Sequence, residues 1–300
     1  MTPIIIFGFN RAESLRRAAE ALLANAEAAE SDLFVFVDGP RKDKAGETEK
    51  VNEVRKCAES IRGFKSLTCS FSEQNKGLAP SIISGVTQVI NQYGRAIVVE
   101  DDLVVSKSFL RYMNEMLDKY ESDDRIMQVT GFGCKIKKPA DYSWDVYLNE
   151  RSNPWSWGSW KDRWDTVDWE VRDFPELKGS LKKQLAFCKR GSDLYSMLRD
   201  YMDGKNSSWW IRFNYSMFKQ QRYAVCPIRS LVRNEGFTKE ATNCNGYNRY
   251  EVDFEESHKG DFLSPERLKP LELIMREAVR YWTIRYRIYG KLMTYIHKTK

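Results

Sequence analysis

Three consecutive acids, Glu100, Asp101 and Asp102, interrupt an apolar run that resumes directly after them. Residues 96–99 have the length and the β-branching of a buried strand, which places the acids at its carboxyl end. In an α/β sheet ligands bind at this edge, because the loops from strand to helix open into a crevice there. Adjacent carboxylates repel one another unless a cation joins them, and a hard divalent ion carrying a diphosphate is the usual solution. The pattern predicts such a site; the alternative is a solvated acidic turn that caps the next helix through its dipole.

Two charged residues and one glycine stand at the ends of neighbouring predicted elements. Arg11 follows the first predicted strand and Asp38 follows the second. Asp38-Gly39 is also a good turn, and Arg11 is equally compatible with an ordinary position in the first turn of a helix. Gly77 opens a predicted helix, where backbone amides are available to an anion.

Strands and helices alternate strictly over the first 135 residues. The predicted strands cover residues 4–8, 33–37, 66–71, 96–99 and 126–130. The predicted helices cover residues 13–30, 47–61, 78–93 and, after Ser106 as N-cap, the residues to about 120. This alternation predicts an α/β fold, with a mostly parallel sheet and helices on both of its faces.

The composition changes near residue 140. Eight of the nine tryptophans lie between Trp144 and Trp210, and five of them lie within residues 154–170. Packed rings of this kind form a core, or else an apolar floor for a ligand with flat, weakly polar faces such as a sugar. Beyond them we predict a helix to about residue 220, a strand at 223–226, and a loop at 238–261 that orders on ligand binding.

The C-terminal segment carries apolar and aromatic residues at alternating spacings of four and three, which predicts an amphipathic helix with one continuous stripe. The stripe consists of Met275, Val279, Trp282, Tyr286, Tyr289, Met293 and Ile296. It is flanked by Arg276, Arg280, Arg285, Arg287 and Lys291. A basic helix rich in Trp and Tyr suits an anionic membrane surface, and the alternative is a terminal helix docked on its own domain or on a partner.

Length and composition bound the remaining possibilities. Three hundred residues, 42% of them hydrophobic, are enough for a full globular core in one large domain, with or without a subdomain. The net charge of +6 is mild, and we expect no nucleic-acid partner. We also expect no secretion signal and no span of roughly eighteen apolar residues that would cross a bilayer. The six scattered cysteines are typical of reduced thiols in a cytoplasmic protein.

Several stretches of the chain resemble nucleotide-sugar glycosyltransferases of the GT-A fold. VVEDDLVVSKSFLRYMNEML is similar to the segment around the metal-binding acids of the N-acetylglucosaminyltransferase I family, and to bacterial family 2 sugar transferases from surface-polysaccharide gene clusters. GFNRAESL, FVDGPRK and NKGLAPSIISGV resemble the first strand, the second strand and a helix start of these enzymes. SWWIRFNYSMF and SLVRNEGF resemble the acceptor-side half of the bacterial group. The resemblance covers about residues 3–245.

The resemblance implies a role for each of the polar residues named above. Asp102 would bind Mn²⁺ or Mg²⁺, and the ion would bridge the phosphates of a nucleotide-diphosphate sugar such as a UDP-sugar. Glu100 and Asp101 would contact the ribose or the donor sugar. Asp38 would accept a hydrogen bond from the base, and Arg11 would lie beside the base or a phosphate.

The chain departs from the family at one functional position. The relatives carry an Asp after the tryptophan in the segment that matches residues 208–213, and inverting members use a carboxylate there as general base. This chain has Trp210 at that position. We expect Asp162 to replace the missing base, with Asp165 and Glu235 as alternatives, although each is equally compatible with an ordinary surface carboxylate.

The resemblance therefore implies a nucleotide-sugar-binding half at 1–135 and a Trp-rich acceptor-side half at 136–262. Spacing and charge add a basic amphipathic helix at 263–300. The implied function is metal-dependent, inverting transfer of a hexose or N-acetylhexosamine to a hydroxyl of a cell-surface glycan or lipid-linked oligosaccharide. The chain would act in the cytoplasm, peripherally on the inner face of the cell membrane. Two alternatives remain. A nucleotidyltransferase would need a Gly-rich, basic loop that GFNRAE lacks, and a glycan-binding relative would have lost the base.

Overall fold

The computed structural model describes residues 1–236, 247–250 and 252–298. Within these ranges the strands are β1 (Ile4–Gly8), β2 (Asp32–Val37), β3 (Ser66–Phe71), β4 (Arg95–Glu100), β5 (Leu103–Val105), β6 (Ile126–Thr130), β7 (Val146–Asn149), β8 (Trp157–Trp160), β9 (Tyr223–Pro227) and β10 (Val232–Asn234). The α-helices there are α1 (Ala12–Leu23), α2 (Glu47–Ser60), α3 (Leu78–Tyr93), α4 (Phe109–Lys119), α5 (Lys161–Trp164), α6 (Phe174–Lys178), α7 (Leu181–Phe187), α8 (Leu194–Met202), α9 (Trp209–Lys219), α10 (Glu272–Val279) and α11 (Ile284–Lys298).

The main sheet has the strand order β3-β2-β1-β4-β8-β6-β9-β7. The strands β3, β2, β1 and β4 are parallel, and β6 and β9 run in the same direction, whereas β8 and β7 run antiparallel to their neighbours. The central strands β1 and β4 are β-branched and buried, as strands covered on both faces must be. A mostly parallel α/β sheet, as the sequence predicts, is confirmed. Strands β7, β8 and β9 come from the predicted acceptor-side half, so both halves share one sheet.

Hydrophobic cores lie on both faces of the sheet, because successive side chains of a strand point to opposite faces. Ile97 and Val99 of β4 belong to one core, with residues of α1, α2 and α4. Ala96 and Val98 belong to the other core, with α3, α9 and most of the buried tryptophans. The prediction of helices on both faces is confirmed.

The first predicted helix is wrong in its length. It ends at Leu23, and a short 3-10 helix, Ala26–Glu30, follows. Asn25 separates the two in an extended conformation, and its side-chain oxygen accepts a hydrogen bond from the backbone N–H of Leu110 at 2.9 Å. A tertiary hydrogen bond thus ends a helix that the local composition would have continued.

The C-terminal amphipathic helix that the sequence predicts is present, but a break divides it in two. Helix α10 is followed by a 3-10 turn, Arg280–Trp282, and by Thr283 in an extended conformation before α11 begins. The Thr283 hydroxyl donates to the carbonyl of Arg280 at 2.6 Å, an alternative to helical hydrogen bonding. Tyr281 and Trp282 are buried in the core at this break, so packing fixes it.

The predicted loop at 238–261 lies partly outside the described residues. Of its described part, Phe254 forms a bridge with Ser230, and the carbonyl of Glu256 accepts from the backbone N–H of Lys107 at 3.1 Å. This part of the segment is therefore fixed at the start of α4. Ordering of the segment on ligand binding stays a prediction.

Candidate functional site

The three acids lie where the sequence predicts, at the carboxyl edge of the sheet. Glu100 is the last residue of β4, and Asp101 and Asp102 form the turn into β5. Strand β5 leaves the main sheet and pairs antiparallel with β10. The acids are therefore held in a two-residue turn between strands that are fixed on both sides.

Arg11, from the loop after β1, pairs with two of the acids. Its Nη2 lies 2.5 Å from Oδ1 of Asp101 and 3.3 Å from Oδ2 of Asp102. Burial, together with the charge of Asp102, raises the pKa of Asp101 to about 7 against the opposing charge of Arg11. Burial and the charges of Asp102 and Asp101 raise the pKa of Glu100 well above its ordinary value. Arg11 pairs with two of the three carboxyl groups, and the raised pKa values of Glu100 and Asp101 mean that full ionisation of the cluster needs a further cation.

Asp102 has a carboxylate oxygen that is available to bind a metal ion. Its Oδ1 is buried and has no hydrogen-bond partner among the residues that the structure describes. An unpaired buried carboxylate oxygen is costly, and a hard divalent cation would satisfy it. The described residues contain no group of three or more His, Cys, Asp and Glu side chains that forms a metal site by itself. Mg²⁺ sites commonly use one or two carboxylates and take their remaining ligands from phosphate and water, so the residues present fit such an ion.

The end of β10 and the residues that follow it, 234–236, cover Asp102. Sequence reasoning assigned no role to Asn234 or Gly236. The backbone N–H of Glu235 donates to the carbonyl of Asp102 at 3.0 Å. A Cβ at Gly236 would lie 2.2 Å from Oδ2 of Asp102, so only glycine fits this close approach. The Nδ2 of Asn234 is buried without a partner among the described residues, while its Oδ1 accepts from Gly236 at 2.7 Å. The unpaired Nδ2 donor of Asn234 thus lies close in the chain to Glu235 and Gly236, which contact Asp102.

Asp38 and Gly77 are brought together, because the two residues hydrogen-bond directly to each other. The carboxylate of Asp38 accepts hydrogen bonds from the backbone N–H of Gly39, Lys76 and Gly77, each at 2.9 Å, and from Nδ2 of Asn75 at 3.1 Å. The anion at the amides before α3 is therefore the side chain of Asp38. Its direct structural role is to hold the loop at 74–77 against the end of β2, and its contact with a nucleotide base stays a prediction.

Asp162 and Asp165 do not reach the acidic cluster. They lie at α5, directly after β8, which pairs its last residue, Trp160, with Arg95 at the start of β4. At about 3.3 Å per residue along β4, the three acids lie roughly 17 Å away. The Asp162 side chain is 62% exposed and pairs with Arg163. As a general base at this site Asp162 is a mistaken assignment, because the antiparallel direction of β8 carries it to the opposite edge.

Glu235 is the one of the three candidate bases that lies beside the acids. Its carboxylate accepts from Nη1 of Arg17 at 2.9 Å and from Nη2 of Arg233 at 2.8 Å. The two guanidiniums hold the side chain in a defined position at the carboxyl edge of the sheet.

Most of the Trp-rich segment is core. Trp157, Trp160 and Trp164 are fully buried, and Trp209 and Trp210 are nearly so. Of the two alternatives, core or an apolar floor for a sugar, these rings therefore form core.

Trp155 is different, because its side chain is partly exposed. It stands two residues before Trp157, the first residue of β8. Trp157 pairs with Val98 and Thr130, near the carboxyl ends of β4 and β6. Its ring packs edge-to-face on Phe132 and Tyr250. It therefore lies at the edge that carries the acids.

Trp210, at the position where the resemblance led us to expect an Asp, has a packing role. Its ring lies 4.8 Å from the guanidinium of Arg151, and the ring of Trp282 lies 4.4 Å from the same group. Arg151 is buried and makes a two-pronged ion pair with Asp193. The position therefore stabilises a buried cation.

No protein-family model matches the chain, and no curated protein matches it in sequence. Among solved structures it is similar to the mannosyltransferase PcManGT from Pyrobaculum calidifontis in complex with GDP-Man and Mn²⁺, at 12% identity and a TM-score of 0.36 over 54% of this chain and 46% of that one. It is similar to S. aureus TarS at 11% identity and a TM-score of 0.43, over 79% of this chain and 61% of that one.

A UDP-glucose pyrophosphorylase complexed with UDP-glucose is also similar, at 12% identity and a TM-score of 0.38, over 76% of this chain and 90% of that one. This chain thus spans less than two thirds of the first two proteins. At these identities and TM-scores the likeness decides neither substrate nor mechanism.

Proposed function

We propose that the chain is a metal-dependent glycosyltransferase of the GT-A fold. It would move a hexose or N-acetylhexosamine from a nucleotide-diphosphate sugar, with UDP as the expected nucleotide, to a hydroxyl of a glycan or lipid-linked oligosaccharide. The observation that carries the proposal is the unpaired, buried Oδ1 of Asp102 in a cluster of three carboxylates at the carboxyl edge of β4. This edge of an α/β sheet is a ligand-binding edge. Arg11 pairs with Asp101 and Asp102, and the raised pKa values of Glu100 and Asp101 favour a further cation beside the cluster.

Each residue of the site has a task in this reaction. Asp102 would hold Mn²⁺ or Mg²⁺, which when bound acts as a Lewis acid for the departing diphosphate. Arg11, already fixed by Asp101 and Asp102, would lie beside the phosphates and offset their charge. The free amide hydrogens of Asn234 would donate to an oxygen of the donor. Glu100 and Asp101 would accept hydrogen bonds from the ribose or the sugar.

Trp155 suits the acceptor side of the crevice. Its partly exposed indole lies at the carboxyl edge, beyond the start of β8. Aromatic rings of this kind pack against the apolar face of a sugar.

Binding of UDP and GDP, measured by calorimetry with Mn²⁺ and with EDTA, tests the donor and metal parts of the proposal. We expect saturable binding with Mn²⁺ and a loss of at least about tenfold in affinity with EDTA, because the phosphates would then face the carboxylates without the ion. Equal affinity in the two conditions would contradict a metal-dependent donor site. An assay for released nucleoside diphosphate then separates transfer from pyrophosphorolysis, which releases nucleoside triphosphate.

Inversion requires a base that removes the proton of the acceptor hydroxyl as it attacks the anomeric carbon. We propose Glu235, because its backbone N–H donates to the carbonyl of Asp102 and its carboxylate is held by Arg17 and Arg233. Glu235→Gln is expected to lower kcat by about 10²- to 10⁴-fold, with little change in donor affinity. The matched change Asp162→Asn, at the opposite edge, is expected to retain wild-type rates. A loss of rate in Asp162→Asn alone would return the role of base to that residue.

Two observations weigh against the alternatives. The loop between β1 and α1 has only three residues, Phe9 to Arg11, which leaves no room for the Gly-rich loop that would cradle a nucleoside triphosphate. A glycan-binding protein without catalysis would have no need of the unpaired oxygen of Asp102, and Glu235→Gln would change nothing in it.

A further inference from the structure

Helix α11 is docked on the body of the protein along one side. Gly290 is buried, and a Cβ there would lie 3.1 Å from Cδ of Arg249. The hydroxyl of Thr294 accepts a hydrogen bond from the backbone N–H of Tyr247 at 3.0 Å. The ring of Tyr286 packs on that of Tyr281, with centroids 5.2 Å apart. These contacts fix which side of the helix faces outward.

The outward side is apolar. Ile284, Ile288 and Leu292 are 63%, 62% and 56% exposed. They are spaced by four residues, so their side chains lie within about 80° of one another around the helix axis, opposite Gly290. None of the three belongs to the stripe that the sequence suggested. Met275, Val279 and Trp282 of that stripe are buried in the core.

The same helix is basic and contains no acid. Arg285 and Lys291 are exposed and flank the outward apolar residues, and neither forms an ion pair with any residue that the structure describes. Arg287 lies nearer the docked side, where its Nη1 donates to the hydroxyl of Ser192 at 3.1 Å. The outer surface of α11 therefore combines three large aliphatic side chains with unpaired positive charge. Among the described residues there is no helix long and apolar enough to cross a membrane.

We propose that this outer surface of α11, made of Ile284, Arg285, Ile288, Lys291 and Leu292, binds the surface of an anionic lipid bilayer. The aliphatic side chains enter the boundary between headgroups and acyl chains, while the basic side chains remain at the level of the headgroups. A second copy of this chain fits the surface less well, because pairing like surfaces would bring Arg285 and Lys291 of both copies together. The inference is independent of the proposed transfer reaction, and it would keep the site close to acceptors in the membrane.

Co-sedimentation with vesicles of phosphatidylcholine, with and without phosphatidylglycerol, tests the proposal on the full chain. We expect the wild type to sediment with the anionic vesicles at low salt, and to be released by high salt because the electrostatic part is screened. The double variant Arg285→Glu, Lys291→Glu is expected to bind at least about thirtyfold more weakly. Ile288→Ser with Leu292→Ser is expected to lose about tenfold or more.

Matched controls lie on α7. Leu185→Ser changes a side chain with a similar exposure, 64%, and Lys182→Glu changes an exposed lysine. Both controls are expected to bind vesicles as the wild type does. Deleting the segment from α10 onward is not suitable, because it would remove the buried residues Ile274 and Tyr281.

Three results would overturn the proposal: no binding of the wild type to anionic vesicles at low salt, equal losses in the controls and the α11 variants, or binding that ignores the vesicle charge. A dimer of the wild type that the α11 variants abolish, without vesicle binding, would assign the surface to a second copy instead. Every substituted side chain is exposed, so we expect each variant to retain the fold. Thermal melting of each variant checks this. Failure here would leave metal-dependent nucleotide binding unaffected.

Discussion

Asp102→Asn is expected to reduce transfer by about 10²- to 10⁴-fold while the protein remains folded. The amide has the shape of the carboxylate but no charge, and hard divalent cations prefer charged oxygen ligands. A metal that acts as a Lewis acid contributes several kcal/mol to the transition state, and each 1.36 kcal/mol is worth about a factor of ten in rate. Steady-state rates with Mn²⁺ measure the loss of transfer. Calorimetry of UDP binding with and without the ion measures the loss of metal-enhanced nucleotide binding.

The matched control for Asp102→Asn is Asp118→Asn. Asp118 is 64% exposed and pairs with Arg95, at the other end of the same strand β4. We expect it to retain the wild-type rate and metal response. Wild-type turnover and metal-enhanced nucleotide binding in Asp102→Asn would show that Asp102 is not the ligand, and the proposed mechanism would fail with it.

Trp157→Ala is expected to lower the free energy of unfolding by about 3–5 kcal/mol. The ring is fully buried and packs against Trp164 and Trp209, with centroids 5.6 and 5.1 Å away. Removing it leaves a large cavity beneath β8, the strand between β4 and β6. This loss is a substantial part of the 5–15 kcal/mol typical of a domain. Urea denaturation monitored by far-UV circular dichroism measures it.

Two variants separate a core role from a ligand-binding role. Trp157→Phe keeps an aromatic ring in the core and removes an indole N–H that has no partner among the described residues, so it should cost much less than Trp157→Ala. Trp155→Ala should cost less stability, because that ring is partly exposed, and should raise the KM for the acceptor. If Trp157→Ala raised only the acceptor KM and left stability intact, the ring would belong to a sugar site.

Much of the α/β framework could be predicted because its signals are local. A run such as IIIFG is β-branched and apolar enough to form a strand covered on both faces, and alternation with helices implies parallel neighbours. The position of Glu100 to Asp102 at a strand end followed from the same reasoning. Short strands were missed, since β5 and β10 have three residues each and acquire their identity only by pairing across a long separation.

The sequence by itself determined six of the eight strands of the main sheet, the position of three acids at the carboxyl end of one buried strand, and the basic, amphipathic character of the C-terminal segment. Only the tertiary structure decided that Arg11 joins Asp101 to Asp102, that Gly236 closes over Asp102, and that Asp162 lies at the far edge. It also decided that α11 docks through Gly290 and turns Ile288 outward. The physical reason is the same in each case: periodicity and residue type act over a few positions, whereas strand order, strand direction and the side of a helix that is covered depend on packing between residues far apart in the chain.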